Sequence, residues 1–242
     1  MRRLTIFGTS NLLGDVFDCA LASGYDDFLV VTNVEEVLRP RTRSLGDRLA
    51  DLPVPVAVRR LEEHEPAPDD ECALGTTAAD RHLLVGELRA RFGIRLVALV
   101  HPAAYVSPLA ALADGVFVGA GSVVGPSAVL HQCVFVNRAA SIGHDTVVGP
   151  YARVMPGANV GGHVRIGAFV TVGIGASVIE ETDIGDAALI AGGAVVTRDV
   201  EARRLVAGVP AVVKKPVADG ERLPGRPSLA PQLSTPVRGR RR

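Results

Sequence analysis

Tryptophan is absent from the 242-residue sequence, and aromatic residues make up only 4% of it. With 48% hydrophobic residues, the core must be built of closely packed Val, Ile, Leu and Ala rather than of rings. Cysteine is scarce: Cys19, Cys72 and Cys133 are odd in number and scattered, which argues against a disulfide framework and against a cysteine zinc site. No apolar run reaches the about 18 residues needed to span a bilayer. Met1-Arg2-Arg3-Leu4-Thr5 turns polar too soon for a signal peptide. An excess of either charge is lacking as well, since 26 Lys and Arg cancel 26 Asp and Glu, so nothing global points to nucleic acid or a membrane surface. These absences predict a cytoplasmic globular protein. Glycine is the residue in excess, with 26 copies where an average of about 7% would give fewer.

Residues 1–99 alternate short apolar runs with helical patterns. Leu4–Phe7 reads as a strand ending in Gly8-Thr9-Ser10-Asn11, followed by a helix from Leu12 to Ser23 that Gly24 stops. Phe28–Thr32 and Val54–Val58 read as further strands, Ala79–Arg91 as a helix closed by Gly93, and Arg95–Val100 as a last strand. Alternation of this kind predicts a small α/β, Rossmann-like domain with a parallel sheet.

From Val100 onward the texture changes. Aliphatic residues recur every six positions at Val106, Leu112, Val118, Val124, Leu130, Val136, Ile142, Val148, Val154, Val160, Ile166, Val172, Val178, Ile184, Ile190 and Val196. Glycine follows the aliphatic residue directly eight times, at Gly119, Gly125, Gly143, Gly149, Gly161, Gly167, Gly173 and Gly185. A period of six fits neither an α-helix nor an alternating strand. It fits a coil of three flat faces, eighteen residues per turn, with the aliphatic side chain pointing into a narrow bore. Sixteen hexads predict a left-handed parallel β-helix of about five coils over residues 100–215. The glycines are expected to permit its corners. Residues 216–242, rich in proline and ending in Arg238-Gly239-Arg240-Arg241-Arg242, read as a disordered basic tail and as a solvated segment rather than a nucleic-acid site.

The array resembles the hexapeptide-repeat acyltransferases. His101-Pro102-Ala103-Ala104-Tyr105-Val106-Ser107-Pro108 resembles the hinge of one subfamily, the sialic acid O-acetyltransferases and UDP-4-amino-sugar N-acetyltransferases. Asn137-Arg138-Ala139-Ala140-Ser141-Ile142-Gly143-His144-Asp145 is similar to its active-site segment, and Gly208-Val209-Pro210-Ala211 to its terminal motif. The resemblance implies acetyl transfer from acetyl-CoA to a small-molecule sugar or nucleotide sugar, with no metal, in a homotrimer whose active sites lie between neighbouring prisms. It implies His144, Asp145 and Asn137 as catalytic residues, and Arg153, Gly162, Ile174 and Gly192 as acetyl-CoA contacts. Arg153 departs from a relative's histidine. Lys214, with Lys215, is suited to CoA phosphates. In the first domain the resemblance implies substrate contacts at Gly8, Thr9, Ser10, Asn11 and Asn33, although the loop Gly8–Gly14 keeps only the first and last glycine of the usual pattern.

Chemistry supports the central assignment. Imidazole titrates near neutrality and can take a proton from an attacking amine or hydroxyl, and a neighbouring carboxylate orients the ring. Adjacent residues on a strand point apart, so the His144–Asp145 pair must lie at a corner. His131 and His163 raise a metal-dependent alternative, as in a β-helix hydratase. However, positions 131, 144 and 163 are 13 and 19 residues apart with no close pair, which argues against a shared ion. Cys133 lies in an apolar stretch and reads as core. A non-catalytic trimeric sugar-nucleotide-binding protein is the alternative outside enzyme chemistry.

Overall fold

The structure, a computed structural model, describes residues 2–10, 12–33, 43–67, 70–78 and 80–218. Asn11 and nearly all of the expected tail, residues 219–242, lie outside them.

The first part contains β1 (Arg3–Phe7), α1 (Leu13–Ala22), β2 (Asp27–Thr32), α2 (Leu45–Ala50), β3 (Val56–Arg60), β4 (Glu71–Leu74) and α3 (Arg81–Phe92). The strands form a parallel sheet in the order β3-β2-β1-β4. Leu4, Ile6, Phe7, Phe28, Val30 and Val31 are fully buried, as expected of a parallel sheet covered on both faces. The expected strand Arg95–Val100 is shorter. Leu96 makes one bridge to Cys72, and Leu99–Val100 already pairs with Phe117–Val118 as the first rung of the second domain.

The second part is the left-handed parallel β-helix. Its first wall stacks Leu99–Val100, Phe117–Val118, Phe135–Val136, Arg153–Val154, Thr171–Val172 and Leu189–Ile190. The second wall runs from Tyr105–Val106 through Ser141–Ile142 to Val195–Val196, and the third from Ala111–Leu112 through Val147–Val148 to Asp183–Ile184. All sixteen hexad residues contribute to one cluster made only of Val, Ile, Leu and Ala. The bore therefore admits no ring. Phe117 and Phe135 instead stack on the outer side of the first wall, centroids 4.6 Å apart.

The glycines act differently from the expectation. Those that follow the inward aliphatic residue do not adopt positive φ. A Cβ on Gly143 would lie 2.4 Å from the Gly161 carbonyl carbon, and one on Gly161 would lie 2.6 Å from the Glu180 nitrogen. Their role is close approach between successive coils. The left-handed corner residue comes two positions later and is mostly not glycine, as at Asp145 (φ 56), Tyr151 (φ 60) and His163 (φ 56).

The C-terminal boundary also shifts. Arg204–Ala207 adds a parallel strand to the first wall and Val212–Pro216 returns antiparallel to it. Val217 is buried against Leu189 and Leu205, and its N–H donates to the Arg203 carbonyl. Pro216 and Val217 therefore close the fold rather than open the tail, because Leu189 and Leu205 on the first wall present an apolar surface that Val217 covers.

The outer face of the first wall packs on the N-terminal sheet, so Leu99, Phe117 and Phe135 share a core with Leu4, Ile6 and Phe28. Arg81, buried at the start of α3, donates to the carbonyls of Cys133 and Tyr151. The second and third walls carry no such covering among the described residues.

One buried group makes the first domain sensitive to acid. His64 is 2% exposed, neither ring nitrogen is hydrogen-bonded, and the ring lies edge-on to Phe7 and Phe92. Burial holds its pKa below the ordinary 6.5. The folded chain then binds fewer protons than the unfolded chain once the pH falls below about 6.5. Its stability is complete above that value and is lost as the pH drops toward the lower folded pKa. Between about pH 7.5 and 5.5 the melting temperature of the native chain should fall more steeply than that of His64→Phe. Parallel melting curves for the two proteins would exclude His64 as the source.

Candidate active site

The edge between the second and third walls carries Gly143-His144-Asp145-Thr146. The left-handed φ of Asp145 turns the chain so that adjacent side chains converge, and His144 Nδ1 lies 2.8 Å from Asp145 Oδ2. The corner condition for this pair is met. Thr146 Oγ1 donates to the Gly161 carbonyl and accepts from Val164 N–H, tying the corner to the next coil. Gly162 lies against the imidazole. A Cβ there would sit 2.7 Å from His144 Cε1 and Nε2, so the ring takes this position because residue 162 has no side chain. The Gly162 carbonyl accepts from Glu181 N–H, whereas its own N–H has no partner among the described residues.

His163 stands beside the pair, its ring centroid 5.0 Å from that of His144 and its Nε2 4.0 Å from Asp145 Oδ2. The 19-residue gap does not keep the two histidines apart, because it is one coil plus one position. The i to i+18 relation is the signal that would have found it. His131 is exposed on a different edge, the one after the third wall, and stays apart from both. Cys133 is buried and burial pushes its thiol pKa up, so it is not a poised nucleophile.

Asn137 occupies another edge, between the first and second walls. It is 1% exposed; Oδ1 accepts from Arg138 N–H, while Nδ2 is buried without a partner. Ile174 and Gly192 lie on this same edge in successive coils, and Ile174 is 63% exposed. The expected site residues thus divide between two edges of one prism, separated by a wall of six residues, at most about 20 Å of chain.

Arg153 has other partners. It donates to the Thr77 carbonyl at 3.1 Å and to Thr171 Oγ1 at 2.7 Å, joining the first wall to the N-terminal domain. The outward Phe117 and Phe135 just below it in the stack were the available sign that this wall is covered. Lys214 is exposed on Val212–Pro216, at the end of the same wall.

In the first domain, Gly8 (φ 82) ends β1, and its carbonyl approaches Gly75 so closely that a Cβ there would be 2.2 Å away. Ser10 Oγ donates to the Gly75 carbonyl and accepts from Leu12 N–H, and the Ser10 carbonyl accepts from Arg48. Its hydroxyl is committed to the loop itself. Thr9 and Asn33 are half-buried at the carboxyl ends of β1 and β2. Asp15, in the first turn of α1, pairs with Arg138 at 3.2 Å, which links this loop to the edge that holds Asn137.

Comparison with known proteins agrees with this architecture. Residues 139–173 match the family model of the bacterial transferase hexapeptide (six repeats). Among curated proteins no sequence matches. The acetyltransferase domain of PglB from Neisseria gonorrhoeae, solved with acetyl coenzyme A, is 28% identical with a TM-score of 0.75, over 89% of this chain and 99% of that one. PerB from Caulobacter crescentus, solved with CoA and GDP-perosamine, is 25% identical with a TM-score of 0.72, over 89% and 98%. WeeI from Acinetobacter baumannii shares the fold at 19% identity and a TM-score of 0.64, over 88% and 100%. The six-residue array, the two-part architecture and these likenesses together support a hexapeptide-repeat acyltransferase of the sugar acetyltransferase type.

Proposed function

We propose that this enzyme transfers the acetyl group of acetyl-CoA to an amino group of a nucleotide sugar, with His144 as general base in a crevice between two prisms of a homotrimer. The observation that carries the reading is the His144–Asp145 pair seated on Gly162. The likeness to PglB and to PerB, solved with acetyl coenzyme A and with CoA and GDP-perosamine, favours the cosubstrate and a sugar nucleotide as acceptor. Three buried cysteines, none in a disulfide, suit a reducing cytoplasm.

Acetyl-CoA supplies an activated thioester and a stable thiol leaving group. The residues suit a long thin ligand: Ile174 and Gly192 offer an open edge, and Asn137, whose amide nitrogen is buried without a partner, lies on the same edge. That edge and the His144 edge belong to different corners of one prism, so a neighbouring prism is needed to bring them together. A threefold assembly does this with the two uncovered walls. The nucleotide is received at the carboxyl ends of β1 and β2, by Gly8, Thr9 and Asn33 and the start of α1.

Asp145 holds a proton on His144 Nδ1, which leaves the Nε2 lone pair available. As the acceptor nitrogen attacks the thioester carbon, Nε2 takes its proton; the carbon–sulfur bond breaks, and the proton held on Nε2 can pass to the departing thiolate. The unpartnered Gly162 N–H, beside the imidazole, is the donor for the carbonyl oxygen as negative charge develops there. Much of the remaining rate comes from holding both substrates in one crevice.

His144→Ala should lower kcat by about a thousandfold with little change in melting temperature. Near-native turnover in that variant would overturn the mechanism. Gly162→Ala should cost about a hundredfold in kcat, because the added methyl displaces the ring from its seat. The shared site predicts subunit complementation. Refolding His144→Ala chains together with Gly192→Trp chains should restore activity that neither has alone, as measured by thiol release. Mixed assemblies as inactive as their parents would place the whole site within one chain.

A further inference from the structure

We propose that His144, Asp145 and His163 bind a divalent transition-metal ion of the zinc class, and that this ion inhibits the enzyme. Two imidazoles and one carboxylate form a mixed nitrogen and oxygen donor set of the kind that zinc and its neighbours prefer. One ligand atom from each residue lies within 4.8 Å of the other two. Around a tetrahedral zinc at about 2.1 Å, ligand atoms are separated by about 3.4 Å. The His144 Nδ1 to Asp145 Oδ2 distance of 2.8 Å is already within that figure, and His163 Nε2, at 4.0 Å from the same oxygen, has to close by a fraction of an ångström. Rotation about exposed side-chain bonds supplies such a shift.

The backbone beneath these side chains is fixed. His163 N–H donates to the His144 carbonyl, Asp145 N–H donates to the Pro126 carbonyl, and both Asp145 and His163 are left-handed corner residues. The three side chains are 56%, 45% and 57% exposed, so an ion reaches them from solvent and keeps water in its remaining position. The surroundings favour a cation. Glu181 and Asp199 continue the column of Asp145 and His163 at eighteen-residue intervals, and all four line one groove beside Asp183. Arg165 is the basic residue lining that groove, and it is paired with Asp183 at 3.6 Å.

Inhibition follows from the tautomer. An ion on His144 Nδ1 replaces the proton that Asp145 holds there, and the ring must then carry its proton on Nε2. An ion on Nε2 takes the lone pair directly. Either way the imidazole accepts no proton from the acceptor. Binding stands on geometry alone, whereas the inhibition rests on His144 being the base. The transfer step as proposed draws on His144 without a metal, so an ion bound there acts as an inhibitor and not as a cofactor.

The test uses the full chain, freed of metal by chelation. Titration with Co2+ should give visible d–d absorption that Zn2+ removes. Zn2+ should inhibit thiol release, and chelator should reverse it. His163→Ala should leave metal-free turnover near the native value while weakening both Co2+ binding and Zn2+ inhibition by about tenfold or more. No Co2+ absorption in the native chain, or unchanged binding in His163→Ala, would overturn the site. Binding that depends on His163 but leaves transfer unaffected would uphold the site and overturn both the inhibition and the assignment of His144 as base.

Discussion

The fold depends on the rung that joins each coil to the next, eighteen residues on. A backbone N–H on one coil donates to a carbonyl of the following coil, at 2.9 Å from Gly143 to Val160 and 2.9 Å from Gly161 to Val178. This rung brings successive backbones so close at the wall ends that a Cβ has no room, which is why glycine follows the inward aliphatic residue. The same rung stacks identical positions into columns. A side chain at a corner therefore meets the side chain one coil away at about 4.8 Å, wherever it lies in sequence. Bore, corner geometry and the seating of the His144–Asp145 pair on the next coil all follow from that one repeated contact.

Seen this way, the sequence revealed the repeat far better than it revealed the neighbours. Sixteen aliphatic residues in phase are visible without any structure because each inward position has the same steric limit. The corners were harder to read. Glycine marks the place where backbones touch, whereas the left-handed residue two positions later is Asp, His, Tyr, Glu or Ala as often as glycine. His163 was missed for a related reason. Distance along the chain is a poor guide in a coil, and a 19-residue gap that seemed to separate two histidines places their rings 5.0 Å apart. The bond from Arg153 to the N-terminal domain was not legible because nothing in the hexad pattern distinguishes one wall from another. The difference lies in the outward residues, where Phe117 and Phe135 mark the wall that the N-terminal sheet covers.

That covering determines how the other walls can be used. With the first wall joined to the N-terminal domain through Arg81, Arg153 and a shared apolar core, the second and third walls are left uncovered among the described residues, and these are the walls that the proposed trimer uses. The second wall lies between the two edges that carry the site residues. Packing it against the third wall of a neighbour brings an edge of one prism beside an edge of the next. A site divided between two corners is thus not a defect of the assignment. It is what a prism with one wall already covered would present to its copies.

The N-terminal loop departs from a simple phosphate cradle for a physical reason. Ser10 spends its hydroxyl on Gly75 and Leu12, and α1 carries an acid, Asp15, in the first turn where an anion would be received. A carboxylate there opposes phosphate through charge, even as the helix terminus attracts it. Arg138 offsets this by pairing with Asp15 at 3.2 Å, and Arg138 directly follows Asn137 on the proposed cofactor edge. The expected nucleotide loop and the Asn137 edge are therefore in direct contact. The backbone N–H of Arg138 in turn donates to the Asn137 carboxamide oxygen. Arg138 thus links the first domain to the prism, with its side chain on Asp15 and its backbone N–H on the Asn137 carboxamide.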